Sequence, residues 1–549
     1  MNGPRSQASV PDWVAAFRNA RGRPPRVLHL GNIANNAYLN ARILREAGFE
    51  CDVACHDYYH LMGCPEWEDA DVPPGTGDHF RPWWSRSELG SFRRPRWFAQ
   101  GPRELVIAYL GDLRRGRRIR AALGWRTLAA FRFLRARGYA FVRRIGLHRI
   151  PGAPSAWRGL RRAGGGLRRR LAGVPGLRRL RRAIGALPGL RRMNPAPQPT
   201  PGPDLRRHVA ELYRKRFERF GEGEIEAVVE RALAWRPLFR EYDAVIGYAT
   251  DGILPLAAGK RPYLAYEHGT IRHLPFQDTP AGRECALCYA EADEVLITNC
   301  DNRASAERLG LRRYRFVPHP VNERDLAELC RRGEDLGRRL RAELGCRFLV
   351  FHPARQHWGP DRHPDWEKGN DRLIRGFAAF LREIEGDAVA VFVEWGQRLE
   401  QSRALLRELG IEERVRWIPP LPHRRMVPYM AAADAVADQF HLGAFGSITP
   451  KALACARPVL LHLDEERHRW CFPELPPVLN VREPEAVRDA LLRLYRSPEE
   501  AAALGRAGRA WYRKYHSAAR VADRLGRAIA EAVDRAGGEA APGARADLR

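Results

Sequence analysis

The sequence predicts an α/β protein of two successive domains. Each is a parallel sheet wrapped by helices, the two face each other across a cleft, and the first carries a basic insert. Three observations lead there. At 549 residues the chain is too long for a single core. Short apolar runs alternate with helical stretches in two separate series. The formal charge of +28 is concentrated in one block that interrupts the first series.

The first series opens with "RVLHLGN", followed by "NNAYLNARILREAGF" with apolar positions at helical spacing, and then "CDVAC". This is the βαβ opening of a parallel sheet. A segment from about 73 to 205 then intervenes, aromatic at its start and ending in the Pro-rich "MNPAPQPTPGP". Between Leu113 and Pro203 there is no acidic residue, and residues 81–200 hold 30 Arg against Glu88, Glu104 and Asp112. The series resumes with "DAVIGYA", "PYLAYEHG", "DEVLITN" and "YRFVPHPV" as strands.

A polar helical stretch from Asn322 to Leu344 leads into the second series, whose strands are "RFLVFHPAR", "AVAVFVEWG", "RVRWIPP", "DAVADQF", "RPVLLHL" and "PVLNVR". The expected division is an N-terminal extension over 1–24 and a first domain over 25–330. A second domain covers 331–483, helices 484–535 and a tail 536–549.

Only five of the 93 basic residues are lysine, at positions 215, 260, 368, 451 and 514. Coding bias accounts for that preference but not for the missing acids. The N-terminal stretch has no apolar signal-like region, and no run of about 18 apolar residues occurs, so a cytoplasmic protein is expected. The ten cysteines are scattered, as reduced thiols would be. Cys285 and Cys288 form the one Cys-x-x-Cys pair and have no second pair at metal-ligand spacing, so packing on a helix face explains them.

Open parallel sheets bind ligands at the carboxyl ends of their strands. After "RFLVFHP" comes Arg355, and 13 residues on stands Lys368 at a helix-opening turn. A guanidinium grips two phosphate oxygens and an ammonium adds a point charge, a combination suited to a diphosphate. Gly396 ends the next strand, where the missing side chain permits close backbone approach. In "DQFHLGAFGSITPKALACARPVLL", Gly443 and Gly446 form a turn, Thr449 is placed to cap and Pro450 fits a first helical turn.

These residues resemble the retaining glycosyltransferases of the GT-B fold, which has two Rossmann-like domains, and most closely glycosyltransferase family 4. The resemblance covers about 25–72 and 206–530. It rests on the order of elements, Arg355 followed by "KGND", the segment "RVRWIPPLPHRRMVPYMAAADAV", and "GAFGSITPKALACARPVLL". In the last of these Phe445, Gly446, Ala452, Ala454, Pro458 and Val459 match the family pattern. Two positions depart from it. Gly443 stands where the family's first Glu holds the donor sugar, and Lys451 stands where its second Glu accepts hydrogen bonds from ribose. An ammonium only donates, so Lys451 cannot replace that Glu in kind. Asp438, at the preceding strand end, is a substitute acceptor.

The resemblance implies further expectations. Arg355, Lys368 and His268 are the catalytic candidates, His268 standing like the family histidine near the donor sugar. Gly396, Gly443, Phe445, Gly446, Lys451 and Asp438 are donor-binding, while Gly31, Asn32 and Arg272 lie on the acceptor side. The implied reaction moves a sugar from a nucleotide-diphosphate sugar to a glycan or lipid-linked acceptor, with retention. No Asp-x-Asp pair stands after a strand, so neither metal nor cofactor is expected. Two alternatives stay open: a catalytically silent nucleotide-sugar-binding protein, which the missing Glu pair favours, and a nucleotide-sugar epimerase of the same fold. For the basic insert, the readings are an anionic membrane surface bound through residues 113–200, placing the protein at the inner face of a membrane in cell-envelope synthesis, and a low-complexity loop. Nucleic acid is the least favoured partner.

Overall fold

The computed structural model describes residues 9–73, 77–79, 81–82, 84, 89–144, 203–359 and 367–539. The first sheet contains β1 (Arg26–Leu30), β2 (Glu50–His56), β3 (Phe98–Gly101), β4 (Ala244–Tyr248), β5 (Tyr263–Tyr266), β6 (Glu294–Ile297) and β7 (Tyr314–Phe316). Its spatial order is β3-β2-β1-β4-β5-β6-β7, parallel throughout. The second sheet contains β8 (Phe348–His352), β9 (Ala388–Val393), β10 (Val415–Ile418), β11 (Ala435–Ala437), β12 (Val459–Leu461) and β13 (Leu479–Asn480). Its order is β10-β9-β8-β11-β12-β13, also parallel.

The central strands are continuous apolar runs because helices cover both faces of each sheet. Buried clusters accordingly flank both sides of the first sheet and both sides of the second. In each sheet the winding reverses once, between β1 and β4 and again between β8 and β11. The carboxyl ends beside such a reversal are where this class of sheet binds ligands.

The helices used below are α1 (Val10–Arg21), α2 (Asn36–Glu46), α3 (Pro65–Asp69), α4 (Arg103–Arg114), α5 (Arg118–Arg144), α6 (Glu222–Leu233), α7 (Pro280–Ala290), α8 (Leu326–Leu344), α9 (Asn370–Glu383), α10 (His423–Ala432), α11 (Ile448–Ala454) and α12 (Ala518–Glu539). The last of them returns to the first domain. Val521, Leu525, Ala528 and Ile529 of α12 join the cluster that holds Val10 and Val14 of α1, and Trp13 donates to Asp534 at 3.1 Å. The helical stretch expected from Asn322 begins at Leu326, because Asn322 uses its side chain to accept from Arg42 at 2.6 Å and the Arg324 amide at 3.2 Å.

The insert expected over about 73–205 needs correcting at its start. Residues 98–101 form the edge strand β3, and α4 and α5 pack behind it with Val106, Leu110 and Leu128 fully buried. Leu128 seats against Gly101, where an added Cβ would lie 2.5 Å from its methyl carbon. The Arg-rich composition hid the apolar positions of these elements. The stretch 145–202 of the insert lies outside the described residues. Among the described residues no helix is long and apolar enough to cross a membrane.

Candidate functional site

The two sheets meet with their carboxyl ends near one seam, and the loops after β8 and β11 deliver its charged groups. Lys368 stands just before α9, in the turn whose Gly369 amide donates to Glu367 at 3.0 Å. The backbone fixes it from both sides: its N–H donates to the His357 carbonyl at 2.7 Å, and its carbonyl accepts from the Phe440 N–H at 2.8 Å. Its ammonium donates to Gln439 Oε1 at 2.8 Å. Burial pushes the Lys368 pKa down to about 8, partly opposed by Asp438 and reinforced by the charges of Arg355 and Arg272. Two cations from the second domain and one from the first thus converge on one region.

The loop bearing Arg355 is held by a small buried network. His352, at the end of β8, bonds the Ala437 carbonyl at 2.9 Å and Asn370 at 2.8 Å. Burial lowers its pKa to about 4, so the imidazole is neutral, with Nδ1–H donating to Ala437 and Nε2 accepting from Asn370. Asn370 also donates to the Arg355 carbonyl at 3.2 Å and accepts from the His357 N–H at 3.0 Å. The Arg355 guanidinium lies 5.8 Å from the Trp395 ring centroid, exposed at the seam, yet desolvation lowers its pKa. From the first domain, Arg272 is clamped by Asp301 through two contacts of 2.5 and 3.0 Å.

Asp438 is buried after β11, and burial raises its pKa. It accepts from the Thr449 hydroxyl at 2.7 Å, so Thr449 ties the strand end to α11 instead of capping that helix as the sequence suggested. Gln439 bonds both the Lys368 ammonium and the Ala444 carbonyl, linking the cation to the Gly443–Gly446 turn. Gly443 packs against Asp464, whose N–H donates to its carbonyl at 2.8 Å. A Cβ on Gly446 would meet nothing within 4 Å, leaving that part of the turn open.

Other expected residues have different employment. The Phe445 ring is turned into an aromatic cluster, stacked on His468 at 5.0 Å and on Phe472 at 6.2 Å, so it holds the turn from behind. Gly396 adopts φ 132°, and a Cβ there would lie 2.4 Å from the Gln356 backbone; the close approach its lack of side chain permits is to the neighbouring loop. Asn32 is a turn brace. Its amide donates to Asn35 Oδ1 at 3.0 Å and the Gly63 carbonyl at 2.9 Å, and its oxygen accepts from the Tyr38 N–H at 3.1 Å.

His268 stands at the start of the loop after β5, with Nε2 2.7 Å from Asn36 Nδ2. Burial lowers its pKa to about 4, against a hydrogen bond with the Ile33 backbone, so it is a neutral imidazole accepting from Asn36. Lys451, 7% exposed, turns toward the first domain: its charge acts on Glu68 of α3 and on His423 of α10. Glu68 and His423 are 3.8 Å apart and both buried. Cys285 and Cys288 are buried free thiols in the core, as packing required. Among the described residues no group of three or more His, Cys, Asp or Glu side chains is placed to hold a metal ion.

Sequence reasoning missed Gln439, Asp301, His352 and Asn370. Gln439 directly follows Asp438 at a strand end and Asn370 lies within "KGND", so position alone marked both. The partner of Arg272 is 29 residues away in sequence and only the fold shows it.

Two Rossmann-like parallel domains, meeting at the carboxyl ends of their strands over a cation-lined seam, define the GT-B class of architecture. Residues 336–526 match the family model described as "Glycosyl transferase-like", which takes in the whole second sheet. Over 99 residues the chain is 38% identical to the D-inositol 3-phosphate glycosyltransferase of Nocardia farcinica, a match spanning 17% of this chain and 22% of that protein. Over 158 residues it is 32% identical to the enzyme of the same name from Saccharomonospora viridis, spanning 26% of this chain and 35% of that one. The chain thus aligns with about a third or less of these relatives' lengths. Among solved structures, Anabaena HepE in complex with UDP is similar with a TM-score of 0.44 and 15% identity, covering 60% of this chain and 97% of that one.

Proposed function

We propose that the protein is a glycosyltransferase that moves a sugar from a nucleotide-diphosphate sugar to a hydroxylated acceptor, with retention at the anomeric carbon and without a metal ion. The observation that carries this reading is the convergence of Lys368, Arg355 and Arg272 on one seam between two strand-end loops. In the reaction the bond from anomeric carbon to diphosphate oxygen breaks while the acceptor oxygen bonds to that carbon, and the acceptor's proton leaves to the departing diphosphate. Negative charge grows on the diphosphate as this happens. Fixed cations placed where charge develops stabilise the transition state more than the ground state. His268, neutral and held by Asn36, serves to position the donor sugar, since at neutral pH it has no proton to give as an imidazolium. Asp438 and Gln439 set the position of the Lys368 ammonium.

The Glycosyl transferase-like match over residues 336–526 and the two relatives support the reaction class. The test has two arms. Titrating UDP and GDP while following thermal unfolding should raise the midpoint for at least one nucleotide, through binding to the folded state. Turnover of a nucleotide-sugar panel in the presence of EDTA, with the product anomer read by NMR, tests transfer, metal independence and retention. A nucleotide that binds without any transfer or hydrolysis would favour the silent binding protein. Loss of all activity in EDTA, restored by a divalent ion, would refute the metal-free reading. We further propose that the Arg-rich segment 145–202 brings the enzyme to an anionic membrane surface, near a lipid-linked or envelope acceptor.

A further inference from the structure

The ten cysteines are not alike. Nine are buried, and Cys330 alone is partly exposed. It stands in the second turn of α8, at the edge of the buried cluster to which Cys455 belongs. Cys455 directly follows α11, its N–H donating to the Lys451 and Ala452 carbonyls at 3.1 Å. Far apart in sequence, the two thiols are hydrogen-bonded to each other. Cys55 and Cys64 also lie close, both on the Gln100 amide at 3.8 and 3.5 Å, but that pair is wholly buried, as are Cys285 and Cys288.

Close helix packing on both sides keeps the two sulfurs together. Gly333, one turn on from Cys330, lies so near α10 that a Cβ there would be 2.5 Å from the Ala431 methyl. Gly508, in the helix Pro498–Tyr515, lies against Leu453 of α11, where a Cβ would be 2.7 Å from a methyl carbon. Two arginines bring positive charge to the pair. Arg457, two residues after Cys455, has a buried Nε with no hydrogen-bond partner among the described residues, and Arg509 directly follows Gly508. The bond from Cys455 and the charges of Arg509 and Arg457 bring the Cys330 pKa down to about 7, against its partial burial. Cys455 is held protonated, first by its bond to Cys330 and then by burial. Burial raises the pKa of every other cysteine.

A thiolate that is partly exposed and flanked by guanidiniums is the nucleophilic form of cysteine. A second thiol beside it resolves the product of its oxidation. We propose that Cys330 and Cys455 form a hydroperoxide-sensitive thiol pair, with Cys330 the attacking and Cys455 the resolving residue. The Cys330 sulfur bonds to one peroxide oxygen as the O–O bond breaks, and the departing alkoxide or hydroxide takes a proton from water. Cys330 is thereby oxidised to a sulfenic acid and the hydroperoxide is reduced to an alcohol or water. The Cys455 sulfur then bonds to the Cys330 sulfur, and its proton leaves with the displaced hydroxide as a second water. An external dithiol reverses the step by exchange. The disulfide ties α8 to the end of α11, the helix whose Thr449 bonds Asp438 beside Lys368, so the redox state reaches the seam. The proposal stands whether or not the protein transfers sugars.

The experiment is peptide mapping by mass spectrometry on the native full chain. With iodoacetamide at pH 7, Cys330 should be alkylated at least about tenfold faster than any other cysteine, and its rate should rise with pH around a midpoint near 7. Equimolar hydrogen peroxide should give a Cys330–Cys455 linked peptide that dithiothreitol removes. In Cys455→Ala the sulfenic acid has no resolving partner, so peroxide with dimedone should label Cys330; Cys330→Ser should give neither label nor link. Unfolding midpoints of both variants identify a folding defect, and the wild-type alkylation and cross-link decide the matter without them. Absence of the linked peptide in the wild type, alkylation of Cys330 no faster than of the buried thiols, or peroxide-driven links made chiefly between other cysteines would overturn the proposal.

Discussion

On the proposed reading, the burial of Lys368 gives the reaction a pH dependence. The ammonium titrates at about 8 in the folded protein, against 10.5 for an ordinary lysine. If the cationic form is the one that receives the diphosphate, kcat/KM reports the free enzyme's ionisation and should be level below about pH 8. Above that it should fall about tenfold per pH unit, reaching roughly one-thirtieth of the plateau near pH 9.5. The sign for stability is opposite. Between about 8 and 10.5 the unfolded chain holds a proton that the folded one has lost, so this group's contribution to stability rises with pH across that window. Activity would therefore decline while the fold gains, which separates loss of the cation from alkaline unfolding. Lys368→Arg keeps its charge throughout and should show a lower plateau, from altered geometry, without the inflection. Initial rates at subsaturating donor from pH 6.5 to 9.5 are the assay. A wild-type profile that stays flat to pH 9.5, or an inflection that persists in Lys368→Arg, would refute the reasoning.

Further outcomes are expected from other parts of the molecule. Arg355→Ala should lower turnover more than about tenfold with little change in unfolding midpoint, since the side chain is exposed and only its backbone anchors the loop. Gly396→Ala should destabilise by about 1–3 kcal/mol in chemical denaturation, because both φ and the Gln356 backbone oppose a Cβ. Lys451→Glu should lower the thermal midpoint, since it sets a second carboxylate near the buried Glu68; an unchanged or raised midpoint would show that Lys451 does not act between the domains. Replacing residues 145–202 by a short Gly/Ser linker should preserve the fold and weaken binding to anionic vesicles, because the segment holds arginines and no acid. Vesicle cosedimentation equal to that of the intact chain would leave the low-complexity reading.

Both sheets were legible in the sequence because buried parallel strands read as unbroken apolar runs between helical stretches, as "VIGY" and "AVFV" do. The edge strand β3 was not, since four residues between arginine-rich neighbours carry too little pattern to outweigh their surroundings. Arg355, Lys368 and Arg272 were found by position alone, after a strand or before a helix, and the fold brings them together. What no local pattern reveals is which side a turn residue faces. Phe445 and Asn32 occupy the expected turns, yet one ring enters the core and one amide braces the backbone. Such choices depend on partners far off in sequence, as with Asp301 for Arg272.

The lysine at position 451, where the sequence departs from the pattern it resembles, has a physical logic. A lysine in the family's carboxylate position would add a fourth cation to a seam already holding Lys368, Arg355 and Arg272, and lysine is desolvated there at a cost. The structure meets that charge from the other domain. The short acidic run from α3 onward brings Glu68 toward Lys451 and sets Asp71 against Arg332 at 3.0 Å and Arg425 at 2.9 Å. Asp69, beside them, binds Arg42 at 2.8 Å and Asn322 at 2.9 Å. Burial raises the Glu68 pKa, and the Lys451 charge is the largest influence holding it down. The lysine is thereby tied to the relative placement of the two domains, and that placement in turn sets how Arg272 meets Lys368. On the proposed reading, a cation at position 451 acts on the alignment of Lys368 and Arg272 and not by direct contact with a ligand.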